Sequence, residues 1–345
     1  MNPLALSIFI TSLAIGTTIT ISSHHWLLAW IGLEINTLAL IPMLTKNPHP
    51  RAIEAATKYF LTQATASALV LFSALINAYQ TGEWTITSLL SPSSISLSIA
   101  LMMKLGLAPL HFWMPEVMQG IPLLSGLILS TWQKIAPMTL MLQISQLINL
   151  ELMITIGLIS ILIGGWGGIN QTQLRKIMAF SSIGHLGWMI IILKFDPQLT
   201  MLNFILYLIM TTAMFSSLIT SNVTKMQDLP TVFTKTPVLA SLTMLTLLSL
   251  TGLPPLTGFI PKLLITTELV KQNATFLATL IMFLSLLALF FYVRLTYIIT
   301  LTLPPNTSNS TALWHLKTKI NSFISPVTSM ALLIFPLSPS LLILM

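Results

Sequence analysis

Residues 94–118 form an apolar run, yet its middle reads Lys104-Leu-Gly-Leu-Ala-Pro-Leu-His-Phe-Trp-Met-Pro-Glu116. In hydrocarbon every backbone N–H and C=O needs an internal partner, so a helix is interrupted only where protein or water covers the break. An ionisable side chain beside such a break marks an ion or substrate pathway. A second stretch, Gly252-Leu-Pro-Pro-Leu-Thr-Gly-Phe-Ile-Pro-Lys262, lies far downstream. Laid over Gly106 to Glu116, it matches at Gly252, Leu253, Pro255, Leu256 and Pro261. Leucine matches carry little weight in so leucine-rich a chain; one glycine and two prolines in register carry more. Interrupted helices in corresponding places of two halves point to a transporter built from repeats.

With 54% hydrophobic and 7% charged residues, the chain is excluded from the ordinary soluble classes. Its 345 residues accommodate about eleven spans of roughly 20 residues each. The expected spans are 3–21, 26–45, 59–79, 94–118, 122–146, 152–170, 176–194, 199–221, 237–264, 274–302 and 323–344. Both breaks then fall in the fourth span of a five-span group. An odd number of spans places the second group upside down relative to the first, giving an inverted repeat. The expected fold is an all-α polytopic membrane protein of about eleven transmembrane helices. Two five-helix inverted repeats, each with a broken fourth helix, occupy 1–150 and 151–303. Residues 304–345 supply a polar loop, a short interfacial segment (Trp314-His-Leu-Lys-Thr-Lys-Ile320) and one last helix.

A net charge of +7 raises nucleic acid as a partner, but the basic residues form no dense run and no zinc-finger spacing. Topology explains them better. With the N-terminus on one side, that side receives Lys46, Arg51, Lys58, Arg175, Lys176, Lys225, Lys235, Arg294, Lys317 and Lys319, against Lys194 and Lys271 opposite. The bias predicts an N-terminus on the positive side, cytoplasm-like or matrix, and a C-terminus across the membrane. Cysteine is absent, which excludes disulfides, thiolate-held iron–sulfur clusters and cysteine zinc sites in this chain. No glycine-rich nucleotide motif occurs. Met1 runs straight into the first apolar segment without an Arg-rich presequence, which predicts synthesis close to the target membrane.

Four charges fall in mid-span or close beside the breaks: Glu34, Lys104, Lys134 and Lys262. Each costs about 3 kcal/mol at a helix centre. Four unpaired would cost about 12 kcal/mol, comparable to the whole stability of a domain. They must be paired, hydrated or neutral. A buried amine changes its proton affinity as a carboxylate approaches or withdraws, a basis for proton transfer without a redox group. Lys134, with about ten residues of apolar helix expected on either side, is too deep to reach water by extending along the surface. His111 in the first break and His185 in Ser181-Ser-Ile-Gly-His-Leu-Gly-Trp188 suit a relay, although a membrane histidine serves equally often in packing. Lys194 and Lys271 lie near span ends and are expected to snorkel; Glu116 is balanced between the two roles; His24 and His25 read as solvated loop residues.

Together with Leu174-Arg-Lys-Ile-Met-Ala-Phe-Ser-Ser-Ile-Gly-His-Leu-Gly-Trp188, the two break motifs closely resemble those of the antiporter-like membrane subunits of respiratory complex I, over almost the whole chain. The resemblance implies kinship with Mrp-type cation/proton antiporters and a place in the mitochondrial inner membrane. The partners it implies are neighbouring antiporter-like subunits, supernumerary subunits and lipid, with no nucleic acid. It implies no cofactor bound by this chain: NADH, FMN, iron–sulfur clusters and ubiquinone belong to other subunits. By position, Glu34 and Lys104 match the family's intramembrane ion pair, Lys134 its central lysine and Lys262 its terminal proton-transfer residue. His111 and His185 match polar positions bridging them. Against the longer bacterial pattern, the resemblance implies a start without three leading helices, which would turn an outside N-terminus to the matrix. The expected function is proton translocation driven by electron transfer in other subunits. A scaffold subunit of the same complex with inherited charges, or a free-standing cation antiporter, are the competing readings.

Overall fold

The computed structural model describes residues 3–46, 49–302 and 323–337, and the described residues are helical with no strand. Helices α1 (Pro3–Ser22), α2 (Trp26–Leu44) and α3 (Pro50–Thr81) open the chain. The fourth expected span is two helices, α4 (Ser91–Leu105) and α5 (Trp113–Gly120), and the fifth is also two, α6 (Leu123–Ser130) and α7 (Trp132–Gln143). Then follow α8 (Leu150–Ile169), α9 (Leu174–Ile192), α10 (Pro197–Ser221) and a short α11 (Pro230–Lys235). The ninth expected span divides into α12 (Pro237–Thr251) and α13 (Phe259–Lys271), ahead of α14 (Thr275–Leu301) and α15 (Ile324–Leu333). Helices α1, α2, α3, α8, α10 and α14 are long and apolar enough to cross a membrane. The expected interfacial segment, 314–320, and the polar loop before it lie outside the described residues.

Two compact units emerge, Met1–Ser160 with Leu186–Pro197, and Ile161–His185 with Gln198–Met345. In the first, α2 packs on α1 and α3, α3 on α4 and α5, and α7 against α1, α2 and α4. Small residues let α1 and α2 approach closely, as membrane helices lacking a hydrophobic drive between them require. A Cβ on Gly32 would stand 2.6 Å from Thr20 Cγ2 and 2.8 Å from the Gly16 carbonyl oxygen. His25, expected to be solvated, instead accepts the Leu27 amide at 3.3 Å through Nδ1, capping α2, and stacks on Trp84 with centroids 5.6 Å apart.

In the second unit the glycine-rich end of α8 is the close-packing surface. Gly164 backs onto Gly184 of α9, while Gly165 and Gly168 back onto Leu287 and Phe291 of α14. Arg294 of α14 donates to the carbonyls of Ile169, the last residue of α8, and of Gln171 in the loop that follows, covering acceptors left open at that helix end. A cation suits that end of a helix. Read from sequence as one more topology charge, Arg294 is a cap.

Candidate functional site

At the first break α4 closes with a Schellman motif: the Gly106 amide reaches Met103 O at 3.2 Å and the Leu107 amide reaches Met102 O at 3.1 Å. Gly106 takes φ 78°, a left-handed conformation that costs glycine nothing. Trp113, at the start of α5, folds back and donates its indole N–H to Met103 O at 3.2 Å. The helix is therefore interrupted without abandoning its terminal carbonyls. Lys104 lies in the last turn of α4, 6% exposed, and His111 lies in the break, 4% exposed, with Nδ1 3.3 Å from Pro109 O.

The second break repeats the glycine geometry. Gly252 has φ 78°, and its amide bonds Ser249 O at 3.0 Å. Half-buried Lys262, from α13, reaches back across the gap and donates to the Thr251 carbonyl, again a cation at a helix C-terminal end. A Cβ at Gly252 would stand 2.8 Å from Lys262 Cδ, so this glycine also makes room for the lysine. Where the first break has Glu116, aligned with Lys262, that carboxylate instead turns to Lys58 at 2.7 Å, and Lys58 also meets Glu54 at 2.7 Å. These three are substantially exposed.

A third interruption was not expected. Around Lys134 the sequence reads as unbroken helix, but the chain departs from helical geometry at Thr131 (φ −113°, ψ −72°). The Lys134 amide then bonds Thr131 O at 3.2 Å, three residues back. Pro137, one turn on, has no N–H for the Gln133 carbonyl. Lys134 thus sits, 3% exposed, on a short segment bounded by two departures from regular helix.

Lys104 and Lys134 line one cavity of about 20 Å³, with Asn36, Tyr59, Gln63, Trp113 and Gln133 among its other walls. Lys104 Nζ, both amide atoms of Asn36 and Gln63 Nε2 are buried without hydrogen-bond partners among the described residues. That volume holds about one water, and these atoms supply the partners such a water requires. Gln133 Nε2 donates to Asn36 O at 3.1 Å and ties α7 to α2 beside the cavity. Glu34 and Lys104 make no direct ion pair, but the carboxylate acts on Lys104 electrostatically, with Glu34 Oε2 buried and unpartnered. Such separation leaves both charges able to respond to a third.

Of the residues singled out by sequence, Glu34, Lys104, His111 and Lys134 belong to the first unit; His185 and Lys262 belong to the second. His185 is half-buried, its ring 5.8 Å from that of Tyr207. Lys194, expected to snorkel, donates to Ile148 O at 2.8 Å, and Lys271 pairs with Glu268 at 3.2 Å. The cavity amides Asn36, Gln63 and Gln133 were missed. Their signal was available, since an amide in hydrocarbon is also costly unless bonded. No cluster of three or more metal-ligating side chains forms among the described residues.

Residues 23–288 match the family described as NADH:quinone oxidoreductase/Mrp antiporter, TM, and 289–342 match NADH dehydrogenase subunit 2 C-terminus. Over 344 residues, covering 100% of this chain and 100% of that one, the sequence is 71% identical to NADH-ubiquinone oxidoreductase chain 2 of Aquarana catesbeiana. It is 58% identical to the protein of that name in Xenopus laevis, over 96% of this chain and 100% of that one. Among solved structures, a chain of respiratory complex I from Thermus thermophilus superposes with TM-score 0.83 at 25% identity, covering 97% of this chain and 80% of that one. A chain of the Mrp complex from Dietzia sp. DQ12-45-1b shares the fold, with TM-score 0.79 at 17% identity over 91% of this chain and 64% of that one.

Proposed function

The chain belongs to the NADH:quinone oxidoreductase/Mrp antiporter transmembrane family, and from that membership we propose that it is a proton-translocating membrane-arm subunit of a mitochondrial NADH–ubiquinone oxidoreductase. Electron transfer takes place in other subunits, which hold the flavin, the clusters and the quinone. The protein is a multi-pass component of the inner membrane, N-terminus on the matrix side and C-terminus on the intermembrane-space side, as the ten-to-two bias of basic residues favours. Its eleven spans form two inverted five-helix repeats and a final helix, a layout supported by the matched glycine geometry of the two breaks. Neighbouring antiporter-like subunits, supernumerary subunits and lipid cover its flanks.

Glu34, Lys104, Lys134 and Lys262 are the proton-transfer residues, with His111 and His185 as relays. One observation carries the reading: two buried lysines share a water-sized cavity into which Lys104 Nζ, the Asn36 amide and Gln63 Nε2 bring unsatisfied polar atoms, under the field of a separated carboxylate. Charge arriving from a neighbouring subunit shifts Glu34 relative to Lys104, which alters the proton affinity of Lys134 across the cavity. The proton then passes towards Lys262 or the next subunit.

Glu34→Gln in the assembled complex tests the coupling, because the amide keeps the shape and removes the charge. Proteoliposomes carrying this variant are expected to move fewer protons per NADH oxidised than those carrying the parent chain. An unchanged proton count at unchanged turnover overturns the role of Glu34.

A further inference from the structure

Three helices of the second unit converge on a set of hydroxyls that the function above leaves unused. Helix α9 contributes Ser181 and Ser182 and, one turn on, the relay His185 named above; α10 contributes Tyr207 and α14 contributes Tyr292. Both tyrosines are buried, Tyr207 at 0% and Tyr292 at 2% exposure. The Tyr207 phenol pairs with the Ser182 hydroxyl and lies within electrostatic reach of Tyr292, while its ring stands 5.8 Å from His185. Neighbouring rings orient the phenols: Phe204 stacks on Tyr207 at 6.4 Å, and Phe291 lies 4.2 Å from Tyr292.

Hydrogen-bond direction matters here. Ser181 donates its proton to Met178 O at 2.8 Å and Ser182 donates to Ala179 O at 2.7 Å, so each serine oxygen is left with acceptor capacity only. The Tyr292 hydroxyl, beside Ser181, has no hydrogen-bond partner of proper geometry among the described residues. A buried unsatisfied hydroxyl is unfavourable by about 1–3 kcal/mol, and phenylalanine would fill the same space without that cost. A polar atom held at such expense calls for a reason beyond packing.

We propose that Tyr207 and Tyr292, with Ser181, Ser182 and His185, form a hydroxyl relay that carries protons through the second unit. Each hydroxyl oxygen releases its own proton as it receives another, so one O–H bond breaks and one forms at every hydroxyl, and one N–H bond forms and one breaks at the histidine. His185 accepts on one ring nitrogen and releases from the other. No phenolate persists, and no oxidant or reductant is needed. The first unit places two lysines about its cavity; in the second, neutral hydroxyls do not bear the cost of a buried charge, which falls on Lys262 alone among the proton-transfer residues named there.

The relay rests on the translocator reading, so its test uses the assembled complex in proteoliposomes with two comparators. Tyr292→Phe keeps the ring and removes the hydroxyl; Tyr297→Phe does the same at a 60% exposed site on the same helix. Tyr292→Phe is expected to lose protons moved per NADH and to raise the solvent deuterium isotope effect on turnover, while Tyr297→Phe matches the parent. A purely structural role would leave the isotope effect unmoved. Should Tyr292→Phe fail to assemble, Tyr207→Phe carries the same test. Parental proton count and isotope effect in the assembled phenol variants overturn the relay. Lys134→Met in the same membranes separates the two ideas: if it still lowers the proton count, translocation stands and only the relay falls.

Discussion

Lys134→Met is expected to lower proton translocation per NADH while leaving the complex assembled, with the proton-coupled turnover falling at least about tenfold if this step gates the rest. Methionine keeps the unbranched apolar stem and fills the wall of the cavity that Lys134 shares with Lys104. It also removes a cation whose place at a helix centre costs about 3 kcal/mol. That saving offsets whatever contact the ammonium makes, and a native gel should show undiminished complex. Loss of pumping in an assembled complex separates the translocator from the scaffold, for which Lys134 is dispensable. Unchanged stoichiometry at full turnover would remove Lys134 from the path.

Gly258→Ala is expected to have the largest structural effect, because the added methyl would overlap the Ser249 carbonyl oxygen and approach the carbonyl carbon to 2.9 Å. Ser249 O already accepts the Gly252 amide that closes α12, so the clash falls on the hydrogen bond defining the second break. Neither partner is the far end of a flexible side chain. The backbone must move, at a cost of at least about 3 kcal/mol, in the range of severe core substitutions. Loss of assembled complex on native gels, or a marked fall in its thermal midpoint, checks this. Gly184→Ala is the control, since a Cβ there meets nothing within 4 Å.

How far these features are legible in sequence differs by residue. Gly106, Gly252 and the prolines announce two breaks because hydrocarbon tolerates few reasons for interrupting a helix. Lys104 and Lys262 are equally visible, as charges beside those breaks. Thr131 gave no such sign, because nothing in an apolar run with threonine separates a kinked helix from a straight one. Pro137 was the available hint, its disturbance expressed one turn upstream. The cavity could not be read at all, since Asn36, Gln63 and Lys134 come from α2, α3 and α7 and meet only through tertiary packing. Sequence also says nothing of the gap between Glu34 and Lys104: it identifies a pair of opposite charges, and only packing decides whether they touch.

The Lys262 ammonium resting on the Thr251 carbonyl has a consequence for observing the protein at work. A carbonyl that accepts from a cation has a weakened C=O bond and vibrates at lower frequency than one facing a neutral amine. An isotope label on that single carbonyl would turn the end of α12 into a built-in voltmeter, its infrared band moving up when the lysine gives away its proton and back when it is recharged. The charge state of one side chain could then be followed in time, inside a turning-over complex, without changing a residue.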